Sequence, residues 1–184
     1  DAEGRALFQQ WCEEAGMTMG VDEIGNMFAR REGTDPEALP VYVGSHLDTQ
    51  PTGGKFDGAL GVMAALEIVR TLNDLDIKTR HPIEIVNFTN EEGSRFAPAM
   101  VASGVTAGVF DLEWAYSRQD DTGVTLGDEL LPFPPHLHRH HPSTPGPPLR
   151  PEIDHPVTGL DDIQVVLDDH HGVAGRREAT QDRQ

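Results

Sequence analysis

Apolar residues recur at Leu7, Phe8, Trp11, Cys12 and Ala15 with the three-and-four spacing of one helix face. Residues 5–15 therefore predict a helix, and Gly16 supplies its stop. Val21 to Arg31 is a mixed stretch interrupted by Gly25-Asn26, which predicts a strand containing a turn or bulge. Pro40-Val-Tyr-Val-Gly44 predicts a short strand whose carboxyl end delivers His46. Asp57, a residue type suited to a helix N-cap, opens a second predicted helix with the stripe Val62, Leu66, Val69 and Leu72. Ile83 to Phe88 is an apolar run broken by Glu84 and Asn87; it predicts a strand that feeds Glu91 and Glu92 into the next loop. Strand, helix, strand in that order predicts an α/β domain with a mixed, largely parallel sheet flanked by helices. Ligands of open α/β sheets gather at the carboxyl ends of strands. His46 and the acidic pair both fall there, on different strands.

Residues 131–184 differ in kind. Nine of the fourteen prolines lie in 131–156, and seven of the nine histidines lie in 131–184. Proline at that density blocks helices and ladder bonding. The expected organisation is a folded segment over 1–130 and an irregular Pro/His-rich tail over 131–184.

Charge narrows the partners. Fourteen Lys and Arg against thirty-one Asp and Glu leave a formal net charge of −17 and a pI near 4.7. That balance argues against nucleic acid and against an anionic membrane surface. The single cysteine, Cys12, excludes an internal disulfide and fits a reducing compartment, so a cytoplasmic location is expected. Its apolar neighbours predict a buried thiol rather than a nucleophile. Met17, Met19 and Met63 are expected as core filler. No apolar run reaches the roughly 18 residues that span a bilayer. No signal-peptide pattern opens the chain. Asp1 already falls inside a helical pattern, so residues upstream of it are expected.

The candidate chemistry lies in two strings, Gly44-Ser-His-Leu-Asp-Thr-Gln-Pro-Thr-Gly-Gly-Lys-Phe-Asp-Gly58 and Thr89-Asn-Glu-Glu-Gly-Ser-Arg-Phe96. His46 and Asp48 stand two apart on extended chain and point the same way. A carboxylate there can accept the far N–H of the imidazole and fix its tautomer. Asp57, set among Gly53, Gly54 and Gly58, can approach a metal closely, and its two oxygens can bridge two ions. Glu91 and Glu92 repel unless a cation intervenes, which raises the proton affinity of one of them. One can bind metal while the other serves as general base and then general acid. Arg95 suits either a bidentate clamp on a substrate carboxylate or an ion pair with a neighbouring acid. Asn26, after Gly25, suits a turn.

These strings resemble the hydantoinase/carbamoylase family of amidases, within the aminoacylase-like group of di-metal peptidases. Asp22-Glu-Ile-Gly-Asn26, Leu66-Glu-Ile-Val-Arg-Thr-Leu72, Asn90-Glu-Glu-Gly-Ser-Arg-Phe-Ala-Pro-Ala-Met100 and Asp121-Thr-Gly-Val-Thr-Leu-Gly127 add to the likeness, which covers about residues 1–130. The resemblance implies a partial di-zinc peptidase-like catalytic domain. It implies His46 on a first metal ion, Asp57 bridging two ions, Glu92 on the second, Glu91 as general base and Asp48 orienting His46. It implies two divalent ions, Zn²⁺ or else Mn²⁺, Co²⁺ or Ni²⁺, since N/O ligands discriminate poorly among them. The implied reaction hydrolyses the carbamoyl C–N bond of an N-carbamoyl-L-amino acid or related ureido acid, releasing ammonia and carbon dioxide. The resemblance also implies a homodimer formed through a smaller domain, which is expected to be absent here. A di-zinc aminopeptidase or deacylase, a non-catalytic metal-binding fragment with a chelating His-rich tail, and a poorly folding product are the alternatives.

The likeness fails after about residue 130. The family's His-Ile-Glu-Gln-Gly motif is missing, and His138 in Pro135-His-Leu-His138 is the nearest substitute ligand by order. Codons for Gln164-Val-Val-Leu-Asp-Asp-His-His-Gly172 can be chosen so that, one base out of frame, they read Trp-Tyr-Ser-Thr-Thr-Ile-Thr-Gly, a string of the family's type. The tail is therefore expected to come from a frame error, leaving the chain truncated relative to the family and poorly active. The coding nucleotides check this: family-like peptide is expected in an alternative frame beyond codon 130, and its absence there rejects the idea.

Overall fold

A computed structural model describes residues 2–130. Helix α1 (Ala2–Glu14) buries Phe8 and Cys12, one turn apart on the same face, as the spacing predicts. It ends in a Schellman arrangement. Gly16 N–H bonds the Glu13 carbonyl and Met17 N–H bonds the Cys12 carbonyl, with Gly16 at φ 77°. Burial pushes the Cys12 thiol up to about 12, which leaves it a packing group.

Strands β1 (Thr18–Val21), β2 (Met27–Arg31), β3 (Val41–His46) and β4 (Ile83–Phe88) form one sheet in the order β1-β2-β4-β3. β3 and β4 run parallel, with Val41 opposite Ile83 and His46 opposite Phe88. The other two pairings are antiparallel. The sheet is mixed, but the expected predominance of parallel pairing does not hold among the described strands. The reason lies in residues 21–31, which are not one bulged strand. The turn at 22–26 folds them back, so β1 and β2 make a hairpin.

Helix α2 (Ala59–Asp74) joins β3 to β4 and buries Val62, Ala65, Leu66 and Val69. Leu72 and Met63 pack partly buried beside them. Its cap position is Gly58, with no side-chain cap bond, so Asp57 is not the N-cap its type suggests. Helices α1 and α2 share one core with Met17, Met19, Met27, Ala29, Ile83 and Ile85. The opposite sheet face carries the Arg30–Glu84 ion pair at 2.6 Å and an edge-on Phe28–Tyr42 contact. Three short helices not foreseen from the pattern follow: α3 (Val101–Thr106), α4 (Leu112–Tyr116) and α5 (Leu126–Leu130). They close a second cluster around Ile24, Phe96, Val101 and Leu126. Among the described residues no helix is long and apolar enough to cross a membrane. The tail 131–184, expected to be irregular, lies outside the described residues.

Asp22, in the hairpin turn, is pushed up to about 6 by burial, against the pull of its hydrogen bonds to Asn26. The folded chain thus holds this proton more tightly than the unfolded chain, where an Asp titrates near its ordinary value of about 4. The stability that the proton contributes is complete below about pH 4. It is lost as pH rises through about 6, on the order of 3 kcal/mol. Asp120 and Asp128, held low by hydrogen bonds from Thr122 and Thr125, act in the opposite sense but at lower pH. The unfolding free energy in urea is expected to fall between pH 4 and 6, and to fall less in Asp22→Asn. An equal fall in both proteins contradicts this account.

Candidate metal centre

The site begins with a strand ending. His46 is the last residue of β3, and its side chain is buried at 6% exposure. Its Nδ1 stands 2.9 Å from the Asp48 backbone carbonyl. A carbonyl oxygen only accepts, so Nδ1 carries the hydrogen and Nε2 is the ring nitrogen that can offer a lone pair. Nε2 faces carboxylates, with Glu91 Oε2 at 3.4 Å and Asp57 Oδ1 at 3.9 Å.

Asp48 orients the imidazole through its main chain. Its carboxylate oxygen is 3.6 Å from Nδ1, too far for the expected hydrogen bond. That carboxylate instead accepts the backbone N–H groups of Glu91 (3.2 Å) and Glu92 (3.0 Å). One residue thus fixes the ring of His46 and the backbone of the acidic pair.

His46, Asp57 and Glu92 each offer a ligand atom within 4.8 Å of the other two. Glu92 Oε2 accepts from the Gln50 carboxamide at 3.1 Å, whereas Glu92 Oε1 is buried with no hydrogen-bond partner. A buried carboxylate oxygen left without a donor, beside an imidazole nitrogen and a second carboxylate, fits a divalent cation. These three residues could hold one. Glu91 sits alongside with its carboxyl raised from the ordinary value. Burial is the main cause; Asp48, Glu92 and Asp57 add to it, and His46 opposes it. A carboxylate with raised proton affinity suits proton abstraction from water.

Gly58 makes this geometry possible. At φ 64° its backbone passes under the imidazole, and a Cβ there would stand 2.5 Å from Cε1 and Nδ1 of His46. The sequence suggested the glycines as a source of close approach to metal; in the fold, Gly58 makes room for the ligand itself.

Arg95 lies apart from the imidazole. Nε donates to Asp120 at 3.0 Å, Nη2 donates to Glu129 at 2.9 Å, and the guanidinium covers Phe96. Of the two roles the sequence left open, the ion pair describes its position. Arg95 also borders a shallow cleft with Gln50, Pro51, Ser94 and Asp120. His138 lies outside the described residues. Gln50 was missed as a partner of Glu92, since nothing in its local sequence marks a contact with a residue 42 positions away.

The sequence and the fold both match known proteins. The profile of peptidase family M20/M25/M40 matches residues 42–158. The chain is 70% identical over 130 residues to an N-carbamoyl-L-amino-acid amidohydrolase of Rhizobium meliloti, covering 71% of this chain and 31% of that protein. It is 44% identical over 124 residues to an N-carbamoyl-L-amino acid amidohydrolase of Geobacillus stearothermophilus, covering 67% and 30%. A crystal structure of a hydantoinase/carbamoylase family amidase from Burkholderia ambifaria superposes with a TM-score of 0.70 at 60% identity, covering 71% of this chain and 32% of that one. The chain thus spans about a third of the length of the curated relatives it matches. With profile, identity and fold in agreement, the chain belongs to peptidase family M20/M25/M40.

Proposed function

We propose that this chain carries part of the active site of a metal-dependent amidohydrolase. The reaction is hydrolysis of the carbamoyl C–N bond of N-carbamoyl-L-amino acids or related ureido acids. The observation that carries the reading is the convergence of His46, Asp57 and Glu92 within 4.8 Å of one another, with Glu91 beside them. The strong likeness to proteins named N-carbamoyl-L-amino-acid amidohydrolase supports the choice of substrate class.

In this reading His46, Asp57 and Glu92 would hold the divalent metal, two ions as in the family resembled, Zn²⁺ or Mn²⁺, Co²⁺ or Ni²⁺. Bound there, the ions polarise the carbamoyl oxygen and lower the pKa of water. Glu91 removes a proton from the attacking water as its oxygen bonds the carbamoyl carbon. Glu91 then returns that proton to the leaving nitrogen as the C–N bond breaks. One water is consumed in releasing the first nitrogen and a carbamic acid; the carbamic acid then loses carbon dioxide as its own C–N bond breaks and its O–H proton passes to the remaining nitrogen, so the amino acid, ammonia and carbon dioxide are the products. Asp48 keeps Glu91 and Glu92 at fixed height by holding their amides. Its carbonyl keeps Nε2 of His46 turned toward the acids.

Calorimetric titration of the full chain with Mn²⁺ or Co²⁺ tests the site. Asp57→Ala is expected to lower affinity at least tenfold, and Glu91→Gln to leave it within a few-fold. An N-carbamoyl-L-amino acid is expected to raise the melting temperature of the metal-loaded chain and not that of Asp57→Ala. Metal binding indifferent to Asp57→Ala overturns the reading. Gly58→Ala is expected to weaken metal binding about tenfold and to destabilise the fold by about 1–3 kcal/mol, because its methyl group displaces His46. Unchanged affinity in that variant contradicts the role given to the close approach.

A further inference from the structure

We propose that Asn26 is a positioning residue for the acidic pair, acting through Thr89; the inference rests on the metal-centre reading above. Asn26 is fully buried, and its carboxamide is fully used. Nδ2 donates to Asp22 Oδ2 at 2.9 Å and to Thr106 Oγ1 at 3.0 Å. Oδ1 accepts the backbone N–H of Thr89 at 2.9 Å. Thr89 is the first residue past β4 and opens the loop that presents Glu91 and Glu92. It is tied to the same turn a second time, since its hydroxyl donates to the Gly25 carbonyl at 2.6 Å. Arg5 of α1 donates to both the Gly25 carbonyl and Thr89 Oγ1.

The loop needs such ties. It has no regular structure, and Asn90 sits at φ 51°, in the left-handed region that Asn tolerates, with its side chain donating to the Phe96 carbonyl at 2.7 Å. Three of its backbone N–H groups end on side-chain oxygens: Thr89 on Asn26, and Glu91 and Glu92 on Asp48. Asp48 therefore holds the far part of the loop and Asn26 the near part. Loss of the Asn26 carboxamide leaves the Thr89 N–H without its acceptor and frees the start of the loop. The carboxylates then move off their positions while the sheet stays intact.

Co²⁺ alone is the probe, read on the full chain by calorimetry and by its visible absorption bands. Asn26→Ala is expected to weaken Co²⁺ binding about 10–100-fold, the usual range for residues behind metal ligands, and to alter the bands. Thr106→Val removes the other partner of Nδ2 and leaves the Thr89 bond in place. It is expected to lower the melting temperature of the metal-free chain but to keep Co²⁺ affinity within about twofold. The exchanged pair Asp22→Asn/Asn26→Asp keeps an acceptor for Thr89 and a bond between the two side chains, and is expected to recover affinity to within tenfold. Equal losses in Asn26→Ala and Thr106→Val overturn the proposal, as does unaltered binding in Asn26→Ala. If Asn26→Ala does not fold, the exchanged pair decides: folded but more than tenfold weaker in Co²⁺ binding, it overturns the proposal. Asp57→Ala separates the two readings. Binding that survives Asp57→Ala defeats the metal-centre reading. Binding lost in Asp57→Ala but retained in Asn26→Ala defeats only this inference.

Discussion

Parallel pairing of β3 with β4 is the constraint on which the site depends. Because both strands run the same way, their carboxyl ends emerge at one edge, and His46 stands opposite Phe88. The chain after β3 and the chain after β4 then have to share the space above that edge. Strand side chains alternate faces, so a slip of one residue would turn His46 away from the acids. The register is held by close approach at Gly44, where a Cβ would run into the Val86 backbone. The buried faces of Ile83, Ile85 and α2 fix it further.

Given that frame, the electrostatics follow. Asp48, Asp57, Glu91 and Glu92 crowd one imidazole. Asp48 offsets its charge with two backbone N–H groups, and Glu91 responds with raised proton affinity. Glu92 does neither with Oε1, which stays buried and without a donor. An unsatisfied buried carboxylate oxygen is unfavourable in any folded protein. A cation at this point would relieve it, together with the mutual repulsion of the acids. The polar arrangement is costly as a structural device and sensible as a ligand set.

What the sequence revealed, and what it hid, divides along physical lines. Helices α1 and α2 and strand β4 were legible because long runs of periodic burial leave a mark on every turn or pleat. The carboxyl-end placement of His46 and the acidic pair followed from strand boundaries alone. The hairpin was not legible, because β1 and β2 are only four and five residues long and the string Gly25-Asn26 marks a turn without giving its sense. Helices α3 to α5, of five or six residues, are too short to show a period. The bonds that the Asp48 carboxylate accepts from the acidic pair are hidden for a deeper reason. They join residues 43 and 44 positions apart, and local spacing contains no trace of such a bond.

That last point applies to the site as a whole. The acids sit on a loop whose own sequence does not fix its shape. With no strand or helix to pair them, its amides must find acceptors elsewhere. The hairpin turn supplies one through Asn26, and the segment past β3 supplies the other through Asp48. These two anchors belong to elements on opposite sides of β4, since the sheet order places β2 on one flank and β3 on the other. The position of the acids therefore reports the separation of β2 from β3, which β4 sets by lying between them. Changes in the sheet reach the carboxylates through these hydrogen bonds even when they touch no ligand.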